Sequence, residues 1–155
     1  MARSELKLNR DLAKTAEMLM QESRAFSNDA KRVLVDVAND IRNDIIRRMA
    51  RTPKRGRQYK RGRKIHIASS PWQYPAVDRA ELLRAIIYDT GRRHVEIGAE
   101  AGAGYADYLE EGTRFMKPRH WLGRSVNRIT RMPGKGLEDR MARLVEESMT
   151  RGFKK

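Results

Sequence analysis

Paired carboxylates, a threonine, an imidazole and an indole lie within 22 residues, in the segment YADYLEEGTRFMKPRHWLGRSV from Tyr105 to Val126. Glu110 and Glu111 could act as an acid and a base, as in glycoside hydrolysis, where two carboxylates stand about 5–10 Å apart across a cleft. Residues adjacent in sequence seldom point at one substrate, however. A solvated or interface role for this pair is therefore the better interpretation.

No other residue pattern completes a catalytic or metal-binding site. The chain has no cysteine, and its three histidines (His66, His94 and His120) lie far apart in the sequence, without the H-E-x-x-H spacing of a metal site. The glycines just before Tyr105 do not form a phosphate-binding loop, and no serine lies in a G-x-S-x-G motif. We therefore expect no enzyme activity, no catalytic residue, no metal and no cofactor. The rival hypothesis, a small hydrolase, requires a pocket that brings Glu110 and His120 together.

Positive charge is concentrated in one part of the chain. Of 155 residues, 34 are basic and 20 are acidic, which gives a net charge of +14; ten of the cations and no acid lie between Arg47 and Lys64. Such a run repels itself unless an anionic partner neutralises it. We expect it to contact DNA phosphates or an acidic protein surface, and a solvated segment without a partner is the third alternative. The candidate contact residues are Arg51, Lys54, Arg55, Arg57, Lys60, Arg61, Arg63 and Lys64.

The first third of the chain has the pattern of helices followed by an irregular segment. Apolar residues recur at helical spacing over residues 4–23, including Ala16 and Leu19, and again over residues 28–50, so we expect two helices separated near Ser27. Residues 47–64 contain two glycines, a proline and almost no apolar residue. This composition predicts a projecting basic loop or mobile arm.

The rest of the chain combines short strands with helices. Alternation at residues 65–67 indicates a strand, and residues 82–100 indicate a hairpin that turns at Gly91 to Arg93. A short piece ending at Gly112 and two closing helices should follow. The inward side of the last helix should consist of Leu137, Met141, Leu144, Val145 and Met149. The sequence therefore predicts an α+β fold with N-terminal helices, a small antiparallel sheet with a projecting basic loop, and C-terminal helices.

The length of the chain fits one domain over residues 1–155. The N-terminal residues lack the apolar stretch of a secretory signal. No segment approaches the roughly 20 apolar residues that cross a bilayer, so we expect a soluble protein with no membrane partner.

Three segments, in order and spacing, resemble a known family. They are PAVDRAELLRAI, YADYLEEGT and PRHWLGRSV, and they are similar to motifs of the tail-completion, or head–tail joining, family of long-tailed bacteriophages (lambdoid gene-ten-product-like). The matching positions are Pro75, Asp78, Leu82, Ile86, Tyr105, Ala106, Tyr108, Glu110, Gly112, Thr113, Arg119, Trp121 and Leu122. The chain departs from the family pattern at Arg79, Ala80, Ala85, Glu111 and His120, where the family usually has Thr, Gly, Ser, an aromatic residue and Pro.

The resemblance implies a structural virion protein made in the host bacterial cytoplasm. Such proteins form a ring, commonly of six copies, at the neck between the head connector and the tail tube or its terminator. The matched residues would then serve the scaffold or its interfaces, with Tyr105, Tyr108, Phe115 and Trp121 close together as candidate anchors. Closing the small core is the equally weighted alternative for Tyr105 and Trp121. A sequence-independent nucleic-acid-binding protein that acts through the basic segment is the alternative function.

Overall fold

The computed structural model describes residues 2–78, 80–91, 94–100 and 104–152, and for residues 2–15 it describes the backbone alone. Helices and two antiparallel two-stranded sheets make an α+β fold, as the sequence predicts. In chain order the elements are α1 (Ala2–Arg51), β1 (Gln58–Arg61), β2 (Lys64–Ile67), α2 (Glu81–Ala85), β3 (Ile86–Thr90), β4 (Val95–Ala99), α3 (Ala106–Glu111), α4 (Trp121–Thr130) and α5 (Leu137–Gly152).

Helix α1 is continuous over 50 residues, so the predicted break near Ser27 is wrong. Ser27 lies exposed inside the helix. Serine and asparagine favour helix starts, but no glycine or proline interrupts residues 2–51, and an ion pair between Arg32 and Asp29 at 3.2 Å supports the following turn. The helix ends before Pro53, as predicted, because a proline disfavours helical geometry in the residue before it.

The C-terminal half of α1 forms one wall of the hydrophobic core. Val37, Ile41, Ile45 and Met49, at steps of four residues, are all buried, as the stripe predicts. The core cluster is completed by Tyr74, Leu82, Ala85, Ile86, Ala106, Trp121 and Ile129. By contrast, residues 16–28 are exposed apart from the half-buried Phe26, so the expected inward positions Ala16 and Leu19 face solvent.

The basic segment is a β-hairpin and not an irregular arm. Strands β1 and β2 pair antiparallel, from Gln58 opposite Ile67 to Arg61 opposite Lys64. The two turn residues begin with Gly62 at φ +61°, the conformation that a two-residue hairpin turn takes when glycine comes first. The predicted strand at residues 65–67 is confirmed, while the predicted loop is wrong over residues 58–64. The hairpin pairs with no other strand among the described residues.

The second hairpin lies against α1. Strands β3 and β4 pair from Ile86 opposite Ala99 to Thr90 opposite Val95, which confirms the predicted hairpin, although the residues before Ile86 form helix α2 instead of strand. Arg42 Nε donates to the Ile86 carbonyl oxygen at 2.8 Å and fixes β3 to α1. The predicted turn residues Arg92 and Arg93, the family departure at Arg79, and part of the glycine-rich segment (101–103) lie outside the described residues.

Helices α4 and α5 also pack against α1. Within α5, Leu144 is buried, and Leu137 and Met141 are half-buried, as predicted. Val145 and Met149 are exposed, so the prediction for these two is wrong. They lie about 100° around the helix from the buried line. Among the described helices, none is both long and apolar enough to cross a membrane.

Candidate interaction surface

Glu110 of α3 holds the start of α4. Its carboxylate accepts hydrogen bonds from the backbone N–H groups of Leu122 and Gly123, at 2.8 and 3.0 Å. The first N–H groups of a helix have no partner within it, and a negative charge there also interacts favourably with the helix dipole. Glu110 is therefore a helix cap supplied by a neighbouring helix, whereas the adjacent Glu111 is exposed.

Gly112 and Thr113 form the corner between α3 and α4. Gly112 has φ +84°, and a Cβ atom there would lie 2.6 Å from the Met116 carbonyl oxygen, so both conformation and space require glycine. Thr113 Oγ1 accepts hydrogen bonds from the N–H groups of Phe115 and Met116, at 3.2 and 3.1 Å. These hydrogen bonds make the corner a tight turn.

Three further residues of the matched segments are turned towards the body. Trp121 is only 2% exposed and belongs to the core. Arg119 is buried and donates to the hydroxyl and the carbonyl oxygen of Ser69, at 3.3 and 2.9 Å. The half-exposed Tyr105 accepts a hydrogen bond on its hydroxyl from the Leu82 N–H at 3.2 Å, at the start of α2. The matched residues thus brace segments that are far apart in sequence.

Burial perturbs two cations of this region. It lowers the pKa of the Arg119 guanidinium and that of the Lys54 ammonium from their ordinary values. An arginine remains charged in proteins even so, and Arg119 also donates to the Lys117 carbonyl oxygen. Lys54 Nζ donates to the Tyr74 carbonyl oxygen at 3.1 Å. Both cations are satisfied by oxygens of the fold.

His120, which precedes α4, has φ +47°. Proline, which the family pattern has at this position, is restricted to φ near −65°. The departure from the pattern at His120 therefore accompanies a backbone conformation that proline cannot adopt.

The cap predicts different effects of replacing two neighbouring glutamates. Glu110→Ala leaves two N–H groups of α4 without their partner, so we expect the free energy of unfolding to fall by about 1–2 kcal/mol. Glu111→Ala removes an exposed side chain and should change it by no more than about 0.5 kcal/mol. Urea unfolding followed by circular dichroism measures both, and equal effects of the two variants would rule out the cap.

A buried polar network joins α1, the segment before α2, and α4. Ser125 Oγ donates to Asp44 Oδ2 at 2.9 Å, and Arg48 Nε donates to Asp44 Oδ1 at 2.9 Å. Tyr74 and Ser125 share a hydrogen bond of 2.8 Å between their hydroxyls. Arg128 contacts both Asp44 and the Tyr74 hydroxyl. Asp44, Tyr74 and Ser125 are all buried, so each buried polar group depends on the others.

Sequence reasoning missed this network, although a signal for part of it exists. Ser125 lies four residues after Trp121 and four before Ile129, which places a hydroxyl in the middle of the apolar face of α4. Asp44 directly precedes the fully buried Ile45. A polar residue on a buried helix face needs a buried partner, but the sequence does not identify which one.

Asp78 attaches the basic hairpin to the body. Its Oδ1 lies 3.3 Å from His66 Nε2, and its Oδ2 contacts Arg61. Tyr59 stacks on His66 with ring centroids 5.8 Å apart. Pro75, from the same matched segment as Asp78, is buried. The segment that contains Pro75 and Asp78 therefore attaches the hairpin to the rest of the fold.

The ten cations of the basic segment divide into two groups. Three are held by the fold: Arg48 by Asp44, Lys54 by Tyr74, and Arg61 by Asp78. The other seven are exposed, and within the described part of the chain none of their side chains has an acidic partner. These seven are Arg47, Arg51, Arg55, Arg57, Lys60, Arg63 and Lys64. Arg61 and Lys54 are thus placed differently from the other candidate contact residues.

A cleft of about 390 Å³ separates the hairpin from the body. Tyr59 and Arg61 form its hairpin side, while Pro75, Leu82 and Tyr105 are among the residues opposite. Neither Glu110 nor His120 lines it.

The remaining candidate side chains are not gathered at one place. His94 lies 3.5 Å from Glu96, and the His120 ring lies 4.7 Å from the ring of Trp72. In the described ranges no three His, Asp or Glu side chains lie together as metal ligands would. The Glu110 carboxylate is engaged with the backbone of α4, and that is not the arrangement that the hydrolase hypothesis requires.

The four aromatic residues expected to lie together as anchors differ in their exposure to solvent. Trp121 is in the core, whereas Tyr105, Tyr108 and Phe115 are exposed, Phe115 by 83%. The Arg114 guanidinium lies 4.3 Å from the centre of the Phe115 ring. Exposed aromatic and arginine side chains on a rigid corner are the usual anchors of protein interfaces.

A sequence model described as "HK97-gp10_like: Bacteriophage HK97-gp10, putative tail-component" matches residues 8–112. The match includes most of α1, both hairpins and α3, and thus more than half of the chain. No curated protein and no solved structure matches the chain significantly.

Proposed function

We propose that this chain, which belongs to the HK97-gp10-like family of bacteriophage tail components, is a non-catalytic structural subunit of the phage neck. In this proposal it forms a ring of six copies between the head connector and the tail tube. Its partners are copies of itself, the head-connector or head-closure protein, and the tail-tube or tail-terminator protein. The packaged DNA is a further candidate contact for the basic hairpin.

The observation that carries the proposal is that the matched polar and aromatic residues stabilise the fold, while other large apolar side chains remain exposed to solvent. Glu110, Gly112, Arg119 and Trp121 brace the fold. Meanwhile large apolar side chains stay exposed on the projecting half of α1, the basic hairpin, the corner after α3, and α5. Apolar side chains that are exposed in groups on a protein surface are typical of sites that bind another protein. Several separate patches suit a subunit with several neighbours.

Removal of the hairpin charges tests the proposal in the phage itself. A phage that lacks the gene is supplied with the chain carrying serine at Arg57, Lys60, Arg63 and Lys64. We expect a fold with unchanged circular dichroism and a titre lower by at least about tenfold, since like-charged or missing contacts at an interface cost 1.4 kcal/mol or more. Unattached heads and tails should accumulate in electron micrographs.

The matched control removes four exposed cations elsewhere. Serine at Arg84, Arg131, Lys135 and Arg143 changes the net charge by the same amount and should leave the titre within about twofold, because scattered surface charges contribute little. Normal virions from the phage without the gene would overturn the neck function. Equal titres for the two variants would overturn the role of the hairpin charges but not the neck function.

The seven exposed cations of the basic segment also favour the second candidate function, a sequence-independent nucleic-acid-binding protein. Phosphate contacts of this kind weaken steeply with salt, because they depend on counterion release. Light scattering at low and high salt, with and without DNA, separates the candidates. A discrete multimer without DNA supports the ring, and a monomer that gains mass only with DNA at low salt supports the nucleic-acid binder.

A further inference from the structure

The hairpin presents two different faces. Residues opposite each other in an antiparallel pair share a face, so Tyr59 and Arg61 lie with His66 on the side of the cleft. The other face carries Gln58 and Lys60, opposite Ile67 and Ile65. On this outward face Ile65 is 71% and Ile67 41% exposed. Two exposed isoleucines at the centre of a phosphate-binding surface would serve no purpose, whereas at a protein interface they would be buried.

Helix α5 presents a complementary surface. Val145 and Met149 are exposed, Met149 by 63%, although they are one turn apart on the same side. Exposed Glu138 and Glu146 border them, and neither glutamate side chain contacts a cation within the described part of the chain. The α5 stripe (Glu138, Ala142, Val145, Glu146 and Met149) is therefore apolar with an acidic border, and the outward hairpin face is apolar with one cation, Lys60, beside its isoleucines.

The two surfaces lie at opposite ends of the packed half of α1. Met49 lines the cleft beneath the hairpin, while Arg151 of α5 pairs with Asp29 at 3.5 Å and Arg140 pairs with Asp40. From residue 29 to residue 49 a helix rises about 30 Å. Complementary patches at opposite ends of a subunit make head-to-tail contacts, and such contacts close into rings when the rotation permits.

We infer that the outward hairpin face of one subunit docks on the α5 stripe of the next copy, with Ile65 and Ile67 against Val145 and Met149, and Lys60 near Glu146. This contact rests on the proposed function, because it is the contact between ring subunits, but it can be tested without the phage.

Another acidic and apolar patch, Asp107, Tyr108 and Glu111 on α3, is the competing site for the hairpin. Helix α3 contributes to the same cleft as the hairpin, so a hairpin that bound this patch on a second copy would bring adjacent surfaces together. Adjacent complementary surfaces favour a closed pair of subunits over a chain.

Engineered disulfides test the contact directly, because the chain has no cysteine of its own. In the variant with Ile65→Cys and Val145→Cys, oxidation should link subunits into a ladder of covalent multimers on a denaturing gel, since a disulfide forms only when Cβ atoms lie about 4 Å apart. The single variants should give no ladder. The variant with Ile65→Cys and Tyr108→Cys is the control for the α3 patch.

Charge reversal supplies the second measurement. Lys60→Glu in the disulfide variant should reduce the ladder by at least about tenfold, because it places like charges opposite each other. Adding Glu146→Lys should restore the ladder, since the reversed pair attracts again. A tenfold loss without recovery would contradict the Lys60–Glu146 pairing.

The same disulfide variants are oxidised in purified virions as well as in the free protein. A ladder in virions supports the contact, and so does a ladder in solution when the virions lack the chain. Virions that contain the chain but give no ladder, or a stronger ladder from the Tyr108→Cys control, overturn it and leave the neck function standing. A ladder in solution with no chain in virions overturns the neck function and leaves the contact standing.

Discussion

Replacing Trp121 by alanine is expected to lower the free energy of unfolding by about 3–5 kcal/mol, the usual range for a tryptophan deleted from a packed interior. The side chain is 2% exposed and lies among Ile45, Met49 and the other core residues. Its Nε1 also lies within hydrogen-bonding distance of the Ala106 carbonyl oxygen, at 3.4 Å. The variant loses both the apolar contacts and the connection between α4 and α3.

The second tryptophan is a control of the same residue type. Trp72 is 60% exposed, and its ring contacts the ring of His120. Trp72→Ala should therefore cost no more than about 1 kcal/mol. Urea or thermal unfolding followed by circular dichroism gives both values. Similar losses for the two variants would mean that Trp121 does not have the packing described for it.

Asp44→Ala should cost about 2–3 kcal/mol, as expected for the loss of hydrogen bonds to a charged and largely buried acceptor. Three side chains donate to this carboxylate: those of Arg48, Ser125 and Arg128. Both arginines are partly exposed to solvent, so water reduces the cost of leaving them unpaired. Ser125 is completely buried and loses Asp44 as an acceptor, while its hydrogen bond with the Tyr74 hydroxyl remains.

Asp36→Ala is the matched control for Asp44, because Asp36 is exposed on the same helix. Its replacement should change the free energy of unfolding by no more than about 0.5 kcal/mol. Asp44→Asn retains the shape and part of the hydrogen bonding, so it should fall between the two. The midpoints of urea unfolding, compared between variants with the same m-value, give the differences in the free energy of unfolding. An Asp44→Ala variant as stable as Asp36→Ala would exclude the network as a source of stability.

The predictable parts of the fold are those in which local periodicity and packing agree. The apolar stripe from Val37 to Met49 predicts the buried face of α1 because a four-residue step stays on one side of a helix. The same rule failed in α5 for Val145 and Met149. Periodicity gives the width of an apolar face, whereas its buried part depends on the neighbouring helices.

The break predicted near Ser27 and the loop predicted over residues 58–64 have different physical origins of error. Capping residues lower the cost of starting a helix, but they do not end one that already has good helix formers on both sides. The basic segment is so polar that a loop was expected there. Its residues nevertheless pair as a hairpin around a glycine turn, because Asp78 contacts Arg61 and His66 and attaches the two strands to the fold. Tertiary contacts of this kind are invisible in a local sequence window.

The sequence identified the residues of the candidate site, but it did not predict what each of them does in the structure. The matched segments identified Glu110, Gly112 and Trp121 as candidate site residues from the sequence alone. Whether Glu110 would cap a helix or face a partner depends on where α4 begins relative to α3. Tyr74, Ser125 and Asp44 are separated by up to 81 residues, so no pattern in the sequence pairs them.

Backbone hydrogen bonds at the corner after α3 fix the positions of Tyr108 and Phe115 before any partner arrives. Gly112 N–H donates to the Tyr108 carbonyl oxygen at 2.9 Å, and Thr113 and Met116 bond to each other in both directions at 2.8 and 3.1 Å. The conformational entropy of this backbone is therefore lost during folding. A partner that binds here has to order side chains only, at about 0.5–1.5 kcal/mol each. On a disordered loop it would also have to order each backbone residue, at about 1–2 kcal/mol.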